Sequence, residues 1–282
     1  MWVVLALSAA LFDGVKHIAA KHLTRSFDSL TLAVSTSFVI VLVTLPLVLI
    51  VGVPEIGEGY LSALIITGVV NAITLFLVMK ALSLTDLSLV TPLYGLSPVF
   101  LLFTSPFFLG EVPSFSGLAG VLMVVLGAYS LNFKSNLSLE PLREILNNKG
   151  QRLILLVTIL WAFSSNFYKI GMQNSSFLFF VFSLNVCITI ILLPVLVKHG
   201  GVRSLLQNAK YLFPLGALSA VVSLFQWSAA NLGMLVYVLS IKRASVLLSV
   251  LAGKVIFQEE NVRQRLLASL VILLGVTVIA FS

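Results

Sequence analysis

The sequence predicts an all-α integral membrane protein of ten transmembrane helices arranged as two inverted five-helix repeats. Three observations carry that expectation. The 282 residues are 59% hydrophobic and only 10% charged, with a mean hydropathy of +1.12, far outside the range of soluble globular chains. Apolar runs of about 20 residues, long enough to cross a bilayer, recur along the whole chain. Residues 79–131 and 227–279 superpose without a gap at an offset of 148, which sets Glu111 on Glu259 and Gly127 on Gly275. A unit with an odd number of crossings must insert upside down relative to its twin, and inverted repeats are a recurrent build of secondary transporters.

The first repeat spans 1–133. Its opening helix, expected over 2–22, has a clean apolar run only as far as Asp13. A cleaved leader is the competing reading, but Met1 is followed by Trp2 and Val3 with no basic segment. At an offset of 153, residues 11–16 lie over 164–169, pairing Asp13 with Asn166 and Lys16 with Lys169, and this parallel makes the segment a crossing. Helices then follow over 30–52, over 60–82 with Asn71 and Thr74, and over 87–109 with Thr91 and Tyr94. In that fourth helix Pro92 and Pro98 would free carbonyls in mid-helix, which is tolerated beside a cavity or bend. The fifth, over 114–133, is almost without polar side chains and carries Gly117, Gly120 and Gly127. A polar stretch, 134–151, reads as the solvated linker between repeats.

The second repeat, 152–282, runs in the same order. Helices are expected over 152–172 with Trp161, Asn166 and Lys169, over 177–198, over 211–231 with Gln226, Trp227 and Asn231, over 234–257 with Tyr237 and Ser240, and over 264–282 with Gly275. The glycine-bearing fifth and tenth helices suit close packing. They are expected to be scaffold, or the interface of a homodimer.

Loop cations fall on one side. Lys21, Arg25, Lys134, Arg143, Lys149, Arg152, Lys198, Arg203, Lys210, Arg263 and Arg265 all lie in alternate connections, while the remaining connections carry no Lys or Arg. The positive-inside rule makes that side cytoplasmic and puts both termini outside, as in a cell-membrane protein. The net charge of +7 is thereby explained by membrane edges and gives no ground for a nucleic-acid partner. Cys187 is the single cysteine, so neither an intrachain disulfide nor a thiolate metal site is expected. No metal, cofactor or nucleotide-binding loop is indicated.

Charge inside the bilayer locates the candidate site, because a charged side chain at mid-membrane costs on the order of 2.5–3.5 kcal/mol on insertion scales. Lys242 and Arg243 lie eight and nine residues into the expected ninth helix, with no acid nearby in sequence. A compact ammonium beside a planar guanidinium favours an anionic group. Tyr94, Asn71, Gln226, Tyr237, Asn166 and Trp161 are the neutral groups expected to complete a solute site. Asp13, Lys16 and His17 stand at i, i+3 and i+4, so Asp13 can touch both cations on one helix face, as a structural cluster or a proton-sensitive one. Lys80 and Lys254 lie near helix ends and are expected to snorkel, while Lys169, near the end of the sixth helix, either snorkels or joins the proton-sensitive or structural set. Glu111 and Glu259 are expected to be architectural, each capping the helix that follows it.

The chain resembles the drug/metabolite transporter superfamily, in its EamA-like ten-helix branch. The resemblance rests on Leu96-Ser97-Pro98, then Phe108-Leu109-Gly110-Glu111 and the glycines to Gly127, echoed by Phe257-Gln258-Glu259 and Leu274-Gly275, with Leu160-Trp161-Ala162 through Lys169 opening the second copy. Ser240-Ile241-Lys242-Arg243 is also similar to the Lys-Arg pair of plastid phosphate translocators. That likeness implies an anion-binding role for the pair. Those carriers place a further lysine four residues before the fourth-helix proline, where this chain has Tyr94.

The expected function is therefore a secondary transporter moving a small polar, anionic or zwitterionic, organic metabolite by alternating access. Alternatives are a lipid-headgroup flippase and a non-transporting membrane receptor or scaffold. No Ser/His/Asp set or metal-ligand spacing favours an enzyme.

Overall fold

The structure, a computed structural model, describes residues 1–85, 93, 94, 96–130, 147–245, 247, 248 and 262–282. Among these, every regular element is a helix: α1 Trp2–Leu23, α2 Ser29–Val51, α3 Tyr60–Leu84, α4 Ser97–Leu109, α5 Phe115–Ser130, α6 Lys149–Gln173, α7 Phe177–Lys198, the short α8 Val202–Gln207, α9 Ala209–Leu232, α10 Leu235–Lys242 and α11 Val262–Ala280. Six of them, α1, α2, α3, α6, α7 and α9, are long and apolar enough to cross a membrane, and α4, α5 and α11 contribute shorter apolar helices.

Helix ends fall where the sequence supplies partners for orphan backbone groups. Asp28 opens α2 by accepting from Leu30 N and Thr31 N at 3.0 and 2.8 Å. Asn148 does the same for α6, taking Gly150 N and Gln151 N at 2.9 and 3.2 Å. This cap starts α6 within the stretch expected to be linker. Gly110, with φ of 66°, ends α4 in the left-handed conformation that a residue without Cβ adopts cheaply.

Packing is reciprocal between the copies. The first helix of copy one, α1, lies along the third helix of copy two, α9, while the third helix of copy one, α3, lies along the first of copy two, α6. The two glycine-bearing helices α5 and α11 pack on one another: a Cβ at Gly275 would stand 2.7 Å from the Gly120 carbonyl oxygen, and one at Gly120 would stand 2.9 Å from that of Gly275. The close packing expected of these glycine-bearing helices joins the two copies within one chain.

Equivalent residues also identify the register of the first helices. Lys21 donates to the carbonyls of Leu82 and Thr85 at 2.8 and 2.7 Å. Lys169 donates to the Gly233 carbonyl at 2.8 Å, and Gly233 stands 148 residues after Thr85, as Lys169 does after Lys21. The offset of 148 therefore extends to the opening helices, and Lys169 matches Lys21 rather than Lys16. These matched sites lie at opposite edges of the bundle. Lys21, Thr85, Asn148 and Gly150 meet at one edge, here the basic edge. Trp2, Glu111, Lys169, Gly233 and Leu235 meet at the other. The first helices of the two copies run in opposite senses, as an inverted repeat demands.

A side chain at Gly275 must displace backbone, which cannot retreat as a flexible side-chain tip can. Gly275→Leu should lower stability by about 1–3 kcal/mol, seen as a lower thermal unfolding midpoint in detergent; a midpoint equal to that of the native chain would contradict this packing.

Candidate functional site

The site begins with a break in each copy's fourth helix. Leu96 N donates to Leu93 O and Val99 N to Leu96 O, both at 3.1 Å, and at the same offset Ala244 N donates to Ile241 O and Leu247 N to Ala244 O at 2.9 and 3.0 Å. Three-residue bonds are those of a tightened turn, here at the start of α4 and just after α10. The break corrects the continuous helices expected over 87–109 and 234–257. Pro98 sits in the first turn of α4, where its missing N–H is no loss, and not in mid-helix as expected. Pro92, Thr91, Lys254 and Glu259 lie outside the described residues.

Arg243 stands in the second break, immediately after α10. Its Nε and Nη2 donate to Ser97 Oγ at 3.1 and 2.5 Å, so the break of one copy is tied to that of the other. The serine matched to Ser97 is Ser245, 148 residues later. Ser245 Oγ donates to Asp13 Oδ2 at 3.2 Å. Ser245 carries no signal of its own in the sequence, although the repeat offset pairs it with Ser97 of Leu96-Ser97-Pro98.

Asp13 is the centre of charge. Only 1% exposed, it has Lys16 Nζ at 2.6 Å, His17 Nε2 at 3.3 Å and Lys242 Nζ at 3.5 Å. Lys242 also donates to Gln226 Oε1 at 2.5 Å. The acid that Lys242 lacks in its own sequence neighbourhood is thus brought from α1. Burial of these groups in a low-dielectric interior strengthens each interaction and makes an unpaired member expensive.

Lys16, His17, Lys242 and Arg243 line a central cavity of about 180 Å³ with Asn71, Thr74, Ser97, Trp161 and Gln226. Asn71 donates to Ser164 Oγ at 2.8 Å and Trp161 Nε1 to Thr74 Oγ1 at 3.0 Å, which fixes both rotamers on the wall. Tyr168 and Trp227 also line the cavity, their rings parallel within 7° and 3.5 Å apart. Tyr94 stands behind the wall: its ring packs on His17, Trp161 and Arg243, and its buried hydroxyl has no partner among the described residues. The cavity adds Ser164, Ser165, Asn185, Ser219 and Tyr168 to the set expected from sequence. Their types are ordinary in helix packing, so nothing in the sequence singles them out.

Two expected site residues lie elsewhere. Asn166 accepts from Ser105 Oγ and donates to Thr104 Oγ1, both at 3.0 Å, and so joins α6 to α4 as interhelical glue. Tyr237 belongs to the non-basic edge, where its hydroxyl accepts from Ser114 N at 2.9 Å and its ring stacks on Trp2. The same edge holds Glu111, which takes Lys169 Nζ at 2.5 Å on Oε1 and Leu235 N at 2.8 Å on Oε2. Lys169 therefore does not snorkel. Glu111 caps a helix as expected, but it is α10 of the other copy and not the helix that follows it. A carboxylate there satisfies the first amide of α10 and complements its dipole.

The model of the EamA-like transporter family matches residues 1–133 and 148–281, one match on each repeat. The chain belongs to the EamA-like transporter family. It is a multi-pass integral membrane protein, and transport is the business of its family. A crystal structure described only as that of a protein has the same fold over 99% of this chain and 96% of its own, with a TM-score of 0.71 at 16% identity. A search of the curated proteins finds no match. In this EamA-like transporter the two matched segments meet at the cavity and again at the Glu111 junction, so each repeat supplies half of both.

Lys169→Met would leave Glu111 partly buried without its cation. We expect a loss of about 3 kcal/mol in thermal or denaturant unfolding, with much of it recovered in the Lys169→Met, Glu111→Gln double variant. Equal, additive losses from the two substitutions would contradict a coupled pair.

Proposed function

We propose that this chain is a secondary transporter of ten crossings that carries a small organic anion, or a zwitterion held by its anionic end, through the central cavity by alternating access. The observation that carries this reading is the charge of the cavity. Lys16, Lys242 and Arg243 line it, and Asp13 is the one carboxylate beside them among the described residues, so formal cations outnumber formal anions three to one. Such a surplus, focused by low-dielectric walls, attracts an anion and repels a cation.

Binding would use groups already in place. Lys242 would exchange Gln226 Oε1 for a carboxylate or phosphate oxygen, while Gln226 and Asn71 offer amide contacts to the rest of the solute. Arg243, committed to Ser97 Oγ, would present its remaining N–H groups. Alternating access would follow from the two broken helices and the junctions at the edges. The Glu111 set closes the non-basic edge above Tyr168 and Trp227, and its release would open the cavity on that side. By the distribution of loop cations, the basic edge is cytoplasmic and both termini face out.

Replacing Lys242 by Gln removes one cation yet leaves Asp13 paired with Lys16 and His17. In proteoliposomes the Lys242→Gln variant should take up its organic anion at least about tenfold more slowly than the native chain, the loss expected for one charged hydrogen bond. Equal flux across a panel of anionic and zwitterionic metabolites would overturn the assignment. Exchange or an ion gradient must supply the energy, so added nucleotide should leave the rate unchanged.

A further inference from the structure

A second cavity, of about 590 Å³, lies at the basic edge between α2, α3 and α7. It is separate from the central cavity and shares no lining residue with it. Its volume is that of a ligand pocket, which typically runs to about 300–1,000 Å³. The interior is apolar, with Phe76, Leu192 and Leu196 as its deeper wall. Ile73 and Val195, also in the lining, are 49% and 42% exposed on the surface of the bundle. In a membrane protein, such a surface at the level of spanning helices faces lipid, so the groove opens sideways into the bilayer.

Its rim is polar and basic. Lys80 is exposed in the last turns of α3, and its ammonium has no partner among the described residues. His199 closes α7 with Nδ1 on the Val195 carbonyl at 2.8 Å; a carbonyl only accepts, so that nitrogen carries the proton, and Nε2 at the rim has no partner among the described residues. The acid there, Asp28, is engaged by its own helix. Its oxygens accept from Leu30 N, Thr31 N and Thr31 Oγ1 at the start of α2, where the helix dipole also balances its charge. An apolar slot open to lipid, under a lysine at the membrane edge, complements one class of molecule.

We propose that this groove binds an anionic phospholipid, one acyl chain lying against Phe76, Leu192 and Leu196 and the phosphate on Lys80 beside His199. The tail removes apolar wall from contact with disordered chains, and the headgroup meets a cation at the depth where a lysine at a helix end reaches the interface. A bound lipid here would stand between α2, α3 and α7 and so brace α3, the helix that carries Asn71 and Thr74 to the solute cavity. The inference does not depend on which solute the central cavity takes.

The test is native mass spectrometry of the full chain, delipidated in mild detergent and titrated with phosphatidylglycerol and with phosphatidylcholine of identical chains. The native protein should retain one phosphatidylglycerol at least fivefold more strongly than phosphatidylcholine. Lys80→Gln, a surface change, should erase that preference. Ile73→Trp, which fills the groove from its lipid-facing side, should reduce retention of both lipids at least fivefold. Glycerol phosphate, a headgroup without tails, should not be retained. Equal retention of the two lipids by the native chain, an unchanged preference in Lys80→Gln, or retention of glycerol phosphate like that of the whole lipid would each overturn the proposal.

Discussion

A carboxylate buried among cations is the constraint on which the centre of this molecule depends. Asp13 would not remain charged inside the bilayer alone, nor would Lys16 and Lys242 collect there without it. Lys16 Nζ and Lys242 Nζ lie 2.6 and 3.5 Å from Asp13 Oδ1, and the three groups come from α1 and from the end of α10. Because one acid serves more than one cation, neutralisation is incomplete. That excess of cations is what the proposed anion selectivity rests on.

Breaks in the fourth helices make that arrangement geometrically available. A continuous helix would carry Arg243 past Ser97 with all its backbone groups internally satisfied. The tightened turns at Leu93–Val99 and Ile241–Leu247 instead bring the two copies' interrupted segments face to face at the cavity. At the non-basic edge the copies meet again, through Glu111, Lys169 and Leu235. Apolar faces join the copies as well, α1 on α9, α3 on α6 and α5 on α11, and the polar contacts at the cavity and at the edge punctuate that packing.

Much of this was legible in the sequence because the repeat acts as its own alignment. Composition and apolar run length reveal the membrane class, and the matched Glu111 and Glu259 reveal the doubling. Lys242 and Arg243 announce themselves by cost alone. What misled was the assumption that a polar residue in mid-helix faces solute. Asn166 and Tyr237 carry the same chemistry as Asn71 and Trp161, yet rotation of the helix about its axis sends them to a neighbouring helix and to the edge junction. Partners distant in sequence were also hidden: Lys169 finds Glu111 58 residues away and Lys242 finds Asp13 across the whole chain. The likeness of Asp13 to Asn166 sets α1 on α6 five residues out of register, whereas hydrogen bonding makes Lys21 and Lys169 the matched pair.

The sign of the field in the central cavity is the claim from which the functional reading descends. Crystals of the full chain soaked in bromide, and separately in rubidium, would report that sign through anomalous scattering without any knowledge of the solute. The account predicts a bromide peak in the cavity in contact with Lys242 and Lys16. A rubidium peak at that position, with none for bromide, would contradict it.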